Sequence, residues 1–124
     1  MTVSECLRRF GTGGLRRLPE GLPFSDVLDI GRTPKAEKVI APHPSLKPQA
    51  LLRELVWTVL PLGEGVICDP FMGSGSTIAA AEALGYRSIG IEKHESYYQL
   101  AVNAIRPLSR VPVERDQIGL GFGS

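Results

Sequence analysis

Little in this sequence could hold a fold together other than its own core. It has two cysteines, Cys6 and Cys68, at no metal-ligand spacing, which argues against a disulfide scaffold or a cysteine-ligated zinc site. Cys68 instead falls in a short apolar run and is expected to be a small buried core residue. No apolar run approaches the roughly 20 residues of a membrane-spanning helix. The first residues also lack the apolar core of a secretory signal, so a reducing cytoplasm is the expected location. Formal net charge is only +1, far from the basic average of a domain that grips DNA unaided. The ten prolines all stand apart, so no Pro-Pro pair exists anywhere. Repeats and low-complexity tracts are absent, and 124 residues leave room for one small domain.

What is present centres on residues 65–92, GVICDPFMGSGSTIAAAEALGYRSIGIE. Val66-Ile67-Cys68 suits a buried parallel strand. The chain then breaks at Asp69-Pro-Phe-Met-Gly-Ser-Gly75 and resumes as an alanine-rich helix from about Ser76 to Leu84, with Gly85 at the C-cap position. A second apolar run, Ser88 to Ile91, ends in Glu92. This is a β-α-β unit with a glycine turn after the first strand and an acid at the tip of the second. Such a unit seats a small ligand across the carboxyl ends of its strands, with the acid available to ribose hydroxyls.

Three ligand classes compete for the turn. A dinucleotide fingerprint needs a third small residue, and Ile78 stands there. A P-loop needs a lysine after the glycines, and none follows. Two carboxylates, Asp69 and Glu92, would repel a pyrophosphate but suit a ligand that joins a ribose to a cationic amine. S-adenosylmethionine fits that description. The plain alternative is a glycine turn that only joins a strand to a helix.

Around this unit the chain is punctuated more than patterned. Residues 1–42 read as an arm and linker, partly mobile, with Arg8, Arg9, Arg16 and Arg17 either contacting phosphates or simply solvated. Within it, residues 25–42 suggest one short strand and an extended link. Pro48 starts a helix over about 48–60, with Leu51, Leu52, Leu55, Val56, Val59 and Leu60 on an apolar face. A further helix is expected over 95–106, stopped by Pro107, with Tyr97, Ala101, Ala104 and Ile105 on its inner face and Tyr97 in the core. Residues 108–124 read as a loose tail, which leaves 43–107 as the ligand-binding domain.

Asp69-Pro-Phe-Met-Gly-Ser-Gly-Ser-Thr77, followed by Gly85-Tyr-Arg-Ser-Ile-Gly-Ile-Glu92 and Tyr97, resembles the amino-methylating DNA methyltransferases, which act on adenine N6 or cytosine N4. His43-Pro-Ser-Leu-Lys-Pro48 resembles the motif that precedes the cofactor turn in one subgroup. The resemblance covers roughly residues 25–106 and only the C-terminal, cofactor-binding half of such an enzyme. It implies an α/β chain with a partial Rossmann-like methyltransferase fold, parallel strands with flanking helices, and S-adenosylmethionine as cofactor. It also implies cofactor contacts at Lys47, Asp69, Phe71, Gly73, Gly75, Ser76, Thr77, Glu92 and Lys93, with Lys47 beside the methionine end and Lys93 or His94 over the adenine. His43 is expected to approach the ligand through its backbone rather than its ring.

The family grips a flipped base with a polar residue, two prolines and an aromatic, and the missing Pro-Pro pair leaves that segment unaccounted for. No catalytic residue is therefore assigned. A second methyltransferase polypeptide or a second copy of the chain is expected as partner, with DNA reached through the complete assembly. The alternatives are a non-catalytic remnant or regulatory module of the same fold and, less favoured, a nicotinamide enzyme fragment.

Overall fold

The structure, a computed structural model, describes residues 28–60 and 63–113. The four arginines of the expected arm lie outside that range. Helix α1 spans Lys35–Ile40, α2 Gln49–Val59, strand β1 Val66–Asp69, α3 Ser76–Ala83, β2 Arg87–Gly90 and α4 Glu95–Ser109. The two strands pair in parallel, with Val66 opposite Arg87 and Cys68 opposite Ile89. The β-α-β unit of an α/β, partial Rossmann-like fold is thus in place.

Helix α3 is the central element. Ala79, Ala80 and Ala81 are all fully buried, and their small side chains let both neighbouring helices approach closely. On one side Ala79 joins Ala41, Leu46, Ala104 and Leu108. On the other, Ala80 and Ala81 join Leu52, Val56 and Ile67. Helix α2 therefore divides its apolar residues: Leu52 and Val56 enter the core, while Leu55 and Val59 remain exposed.

Three local expectations are corrected by packing. The short strand expected between residues 25 and 42 is the helix α1, in a segment whose Ala, Glu and Lys favour helix. Glu37 turns inward from it to accept the Gln49 backbone N–H at 2.9 Å. Pro107 does not stop α4, which continues to Ser109. Burial of Leu108 in the first cluster and hydrogen bonds from Arg53 to the Leu108 and Ser109 carbonyls, both 3.1 Å, outweigh the one backbone donor that proline removes. Packing thus runs from Lys35 to Ser109, past both ends of the 43–107 segment.

Cys68 is exposed rather than buried. Side chains alternate across the strands, and the face that carries Ile67 is the one covered by helices. Val66, Cys68, Ile89 and Ile91 emerge on the other face, where the three aliphatic residues are about half exposed. Parallel sheets ordinarily have both faces covered. Among the described residues, nothing covers this one.

The turn between β1 and α3 is fixed by its contact with α4. Gly75 has φ 80°, and a Cβ there would meet Ile105 Cγ1 at 2.6 Å. Left-handed strain and overpacking act together, so Gly75→Ala should destabilise the fold by about 2–5 kcal/mol in urea denaturation. The pair Gly75→Ala with Ile105→Ala should lose less than the sum of the two single changes, because the overlap is then relieved. Full additivity would show that α4 does not constrain the turn.

Candidate functional site

The site forms where both strands end. Beyond β1 the Asp69 carboxylate accepts the Phe71 N–H at 3.0 Å, a local turn that an Asx residue favours. The backbone continues to pair with the second strand: Ile91 N–H donates to the Asp69 carbonyl at 2.9 Å and Met72 N–H to the Ile91 carbonyl at 3.0 Å. These bonds carry the turn to the tip of the second strand, beside Glu92. Gly73, with φ 53°, then reverses the chain.

Glu92 clasps the turn. One carboxylate oxygen accepts Gly73 N–H at 3.0 Å and the other accepts His94 N–H at 2.7 Å. The His94 amide and, after desolvation has opposed it, the Gly73 amide hold the Glu92 carboxyl below its ordinary range. Each oxygen retains a further lone pair, so the clasp leaves capacity for ligand hydroxyls.

Lys47, Asp69, Phe71, Gly73, Ser76 and Thr77 line one open pocket of about 240 Å³. Gly75 is not on its wall. It lies behind, packed against Ile105 and Ala101, and starts α3. Glu92 joins the site through Gly73, and Lys93 is exposed beside it. Phe71 is 88% exposed at the rim, an aromatic face with open space in front of it. The pocket is smaller than the roughly 300–1,000 Å³ of ordinary small-molecule sites.

The sequence reading did not anticipate His43 or Tyr97 in these positions. The His43 ring, not only its backbone, lines the pocket and lies 3.3 Å from where a Gly73 Cβ would stand. Its Nδ1 accepts Ser45 N–H at 3.1 Å, so in the neutral ring the proton sits on Nε2. Tyr97 is exposed rather than in the core and packs edge-on against His43, ring centroids 4.4 Å apart. Only the spacing of His43 from the turn and of Tyr97 from Glu92 hinted at this pairing, and it needs α4 docked to be seen. Ser74 was also passed over. It is buried, and its hydroxyl lies 3.0 Å from that of Ser76.

A second, apolar groove of about 430 Å³ lies between α2 and β1, lined by Leu55, Val59, Val66 and Cys68 among others. Leu52 and Thr77 line both this groove and the pocket. No metal-binding cluster occurs among the described residues, and no described helix is long and apolar enough to cross a membrane.

Comparison with known proteins places the chain in a family. A family model described as DNA methylase, of the N6/N4 methyltransferase type, matches residues 7–103. The chain belongs to this DNA methylase family. It is 36% identical over 87 residues to the type II methyltransferase M2.DpnII of Streptococcus pneumoniae, covering 70% of this chain and 32% of that protein. It is 31% identical over 87 residues, with the same coverage, to the type II methyltransferase M2.LlaDCHI of Lactococcus lactis subsp. cremoris. A putative DNA modification methylase from Thermus thermophilus, solved in complex with S-adenosyl-L-methionine, matches at 33% identity and TM-score 0.46, over 51% of this chain and 26% of its own. The chain thus spans about a third of the length of the two type II methyltransferases.

The Glu92 clasp gives a pH signature. Its folded-state carboxyl titrates below the ordinary 4.5, so the stabilisation it provides is complete above that value and is lost as pH falls through the depressed pKa. The Gly73 and His94 amide proton resonances should therefore titrate together, with a midpoint below 4.5. Glu92→Gln should abolish that titration. A midpoint at or above the ordinary value would show that the clasp does not form in solution.

Proposed function

We propose that this chain is the S-adenosylmethionine-binding part of a DNA methyltransferase that modifies adenine N6 or cytosine N4. One observation carries the reading above the others. A carboxylate from the end of the second strand closes directly onto the left-handed glycine turn that follows the first. Asp69, the glycine turn and the helix start line one pocket, and Glu92 is tied to its wall through Gly73, a donor and acceptor set that suits a ribose and an aminoacyl group.

Each residue has a definable task in binding. Glu92 offers its remaining lone pairs to ribose hydroxyls. Gly73, on the pocket wall, lets the methionine portion approach closely, since it carries no Cβ. Asp69 and Lys47 present opposite charges to the ammonium and carboxylate of that portion, Phe71 covers a flat surface, and Lys93 lies beside the adenine. When bound, the cofactor supplies an electrophilic methyl group on a sulfonium.

Methyl transfer also requires that a base be extruded and its amine aimed at that methyl. With no two prolines adjacent in the sequence, we assign the base-gripping segment to a second polypeptide. The uncovered sheet face and the apolar groove beside β1 are consistent with one. A binding-only module is the second reading, supported by the same missing prolines.

Calorimetry should show S-adenosylmethionine or its demethylated product binding, and NAD failing to bind. Glu92→Ala should weaken binding about ten- to a hundredfold through loss of a charged acceptor. Unchanged affinity in a folded Glu92→Ala protein would remove the ribose role.

The purified chain should transfer no labelled methyl to duplex DNA unless the second polypeptide is added. Transfer by the chain alone, lost in Asp69→Ala, would place the catalytic segment within it. Transfer by neither, with cofactor bound, would favour the binding-only module.

A further inference from the structure

The glycine turn is held from the front by Glu92, and a separate buried group holds it from behind. Gln49, the first residue of α2, is fully buried. Its side-chain amide donates to the Ser76 carbonyl at 2.9 Å, while its backbone N–H donates to the Glu37 carboxylate at 2.9 Å. Its side-chain oxygen accepts Arg53 Nε–H at 3.3 Å. Every polar atom of the residue beyond its own carbonyl is engaged, and the contacts reach three helices.

The bond to Ser76 differs from the rest. Ser76 is the first residue of α3 and follows Gly75 directly. Its peptide bond to Thr77 is trans, as is every described peptide. In a trans peptide the carbonyl and the next N–H point in opposite directions. A donor drawing the Ser76 carbonyl toward α2 therefore aims the Thr77 N–H the other way, toward the turn. The Thr77 N–H has no partner within the helix, since the first amides of a helix lack one. Thr77 and Ser76 both line the pocket. Glu37, 4% exposed and pushed above the ordinary carboxyl range by its burial, anchors Gln49 from the far side, and Arg53 ties it to the end of α4.

We propose that Gln49 is a positioning residue for the pocket, fixing the orientation of the Ser76–Thr77 peptide at the exit of the glycine turn. It touches no ligand itself. Its effect on the cofactor rests on the function proposed above, but its effect on the turn does not.

The test compares Gln49 with Arg53 in the full chain. Gln49→Met removes both side-chain bonds at similar volume. Gln49→Glu keeps an acceptor for Arg53, removes the donor to Ser76 and sets a carboxylate oxygen against the Ser76 carbonyl. Arg53→Met removes the tie to α4 without touching α3. Amide hydrogen exchange in the ligand-free protein is the first readout. Both Gln49 variants should exchange about tenfold faster at Gly75 and Ala79, relative to Ala104, whereas Arg53→Met should leave that ratio unchanged.

The second readout is S-adenosylmethionine affinity by calorimetry. It should weaken about tenfold in both Gln49 variants and stay within about twofold in Arg53→Met, even where Arg53→Met has the larger loss of Tm. Equal exchange and affinity changes across the three variants, in proportion to Tm, would overturn the proposal and leave Gln49 as core packing. Selective loosening of the turn in the Gln49 variants, in a protein whose wild-type chain binds no S-adenosylmethionine, would keep the positioning role and reject the cofactor.

Discussion

At Gly75 the chain leaves the turn with a left-handed backbone, pressed so closely against Ile105 that no side chain fits. That contact sets several things together. It lets α4 lie against the start of α3, which brings Ala104 and Leu108 onto Ala79 and Tyr97 over His43. It sets the direction in which α3 begins, and hence where Ser76 and Thr77 meet the pocket. It also leaves the Gly73 amide facing the second strand, where Glu92 takes it. A methyl group at this one position would disturb the helix packing and the pocket alike.

The electrostatics follow the same geometry. Glu92 is partly exposed and held ionised by backbone donors. Glu37 is buried, and desolvation disfavours its charge more than the Gln49 amide and Arg53 favour it. One acid is partly open to solvent and the other faces the interior, and each restrains a different side of the turn. The glycine turn is thus held by polar contacts while α3 is held by alanine packing, a division that lets a polar pocket sit on a small apolar core.

How much of this could be read from the residues depends on how local each cause is. The strands, the left-handed glycines and the acid beyond the second strand follow from short-range rules of turn chemistry and alternation, and they appear near the expected positions. Helix α1 was missed because Pro34 and Pro42 suggested an extended segment, whereas Glu37 finds its partner 12 residues away. Pro107 suggested a helix end, but Leu108 needed burial. Cys68 looked internal because parallel strands usually have two covered faces, and only one is covered among the described residues. The His43–Tyr97 contact and the Gln49 network depend on helices distant in sequence coming together, which no window of residues reveals.

Leu52 and Thr77 form a wall with the pocket on one side and the apolar groove on the other. Two occupants separated by one layer of side chains cannot be energetically independent if either one moves that layer. Whatever stiffens the wall from the groove would reduce the ordering left for a ligand to impose from the pocket, and the benefit would run equally in reverse. Affinity in the pocket would then depend on whether the groove is filled. Cooperativity between the two occupants needs no movement of α2, only a shared pair of side chains.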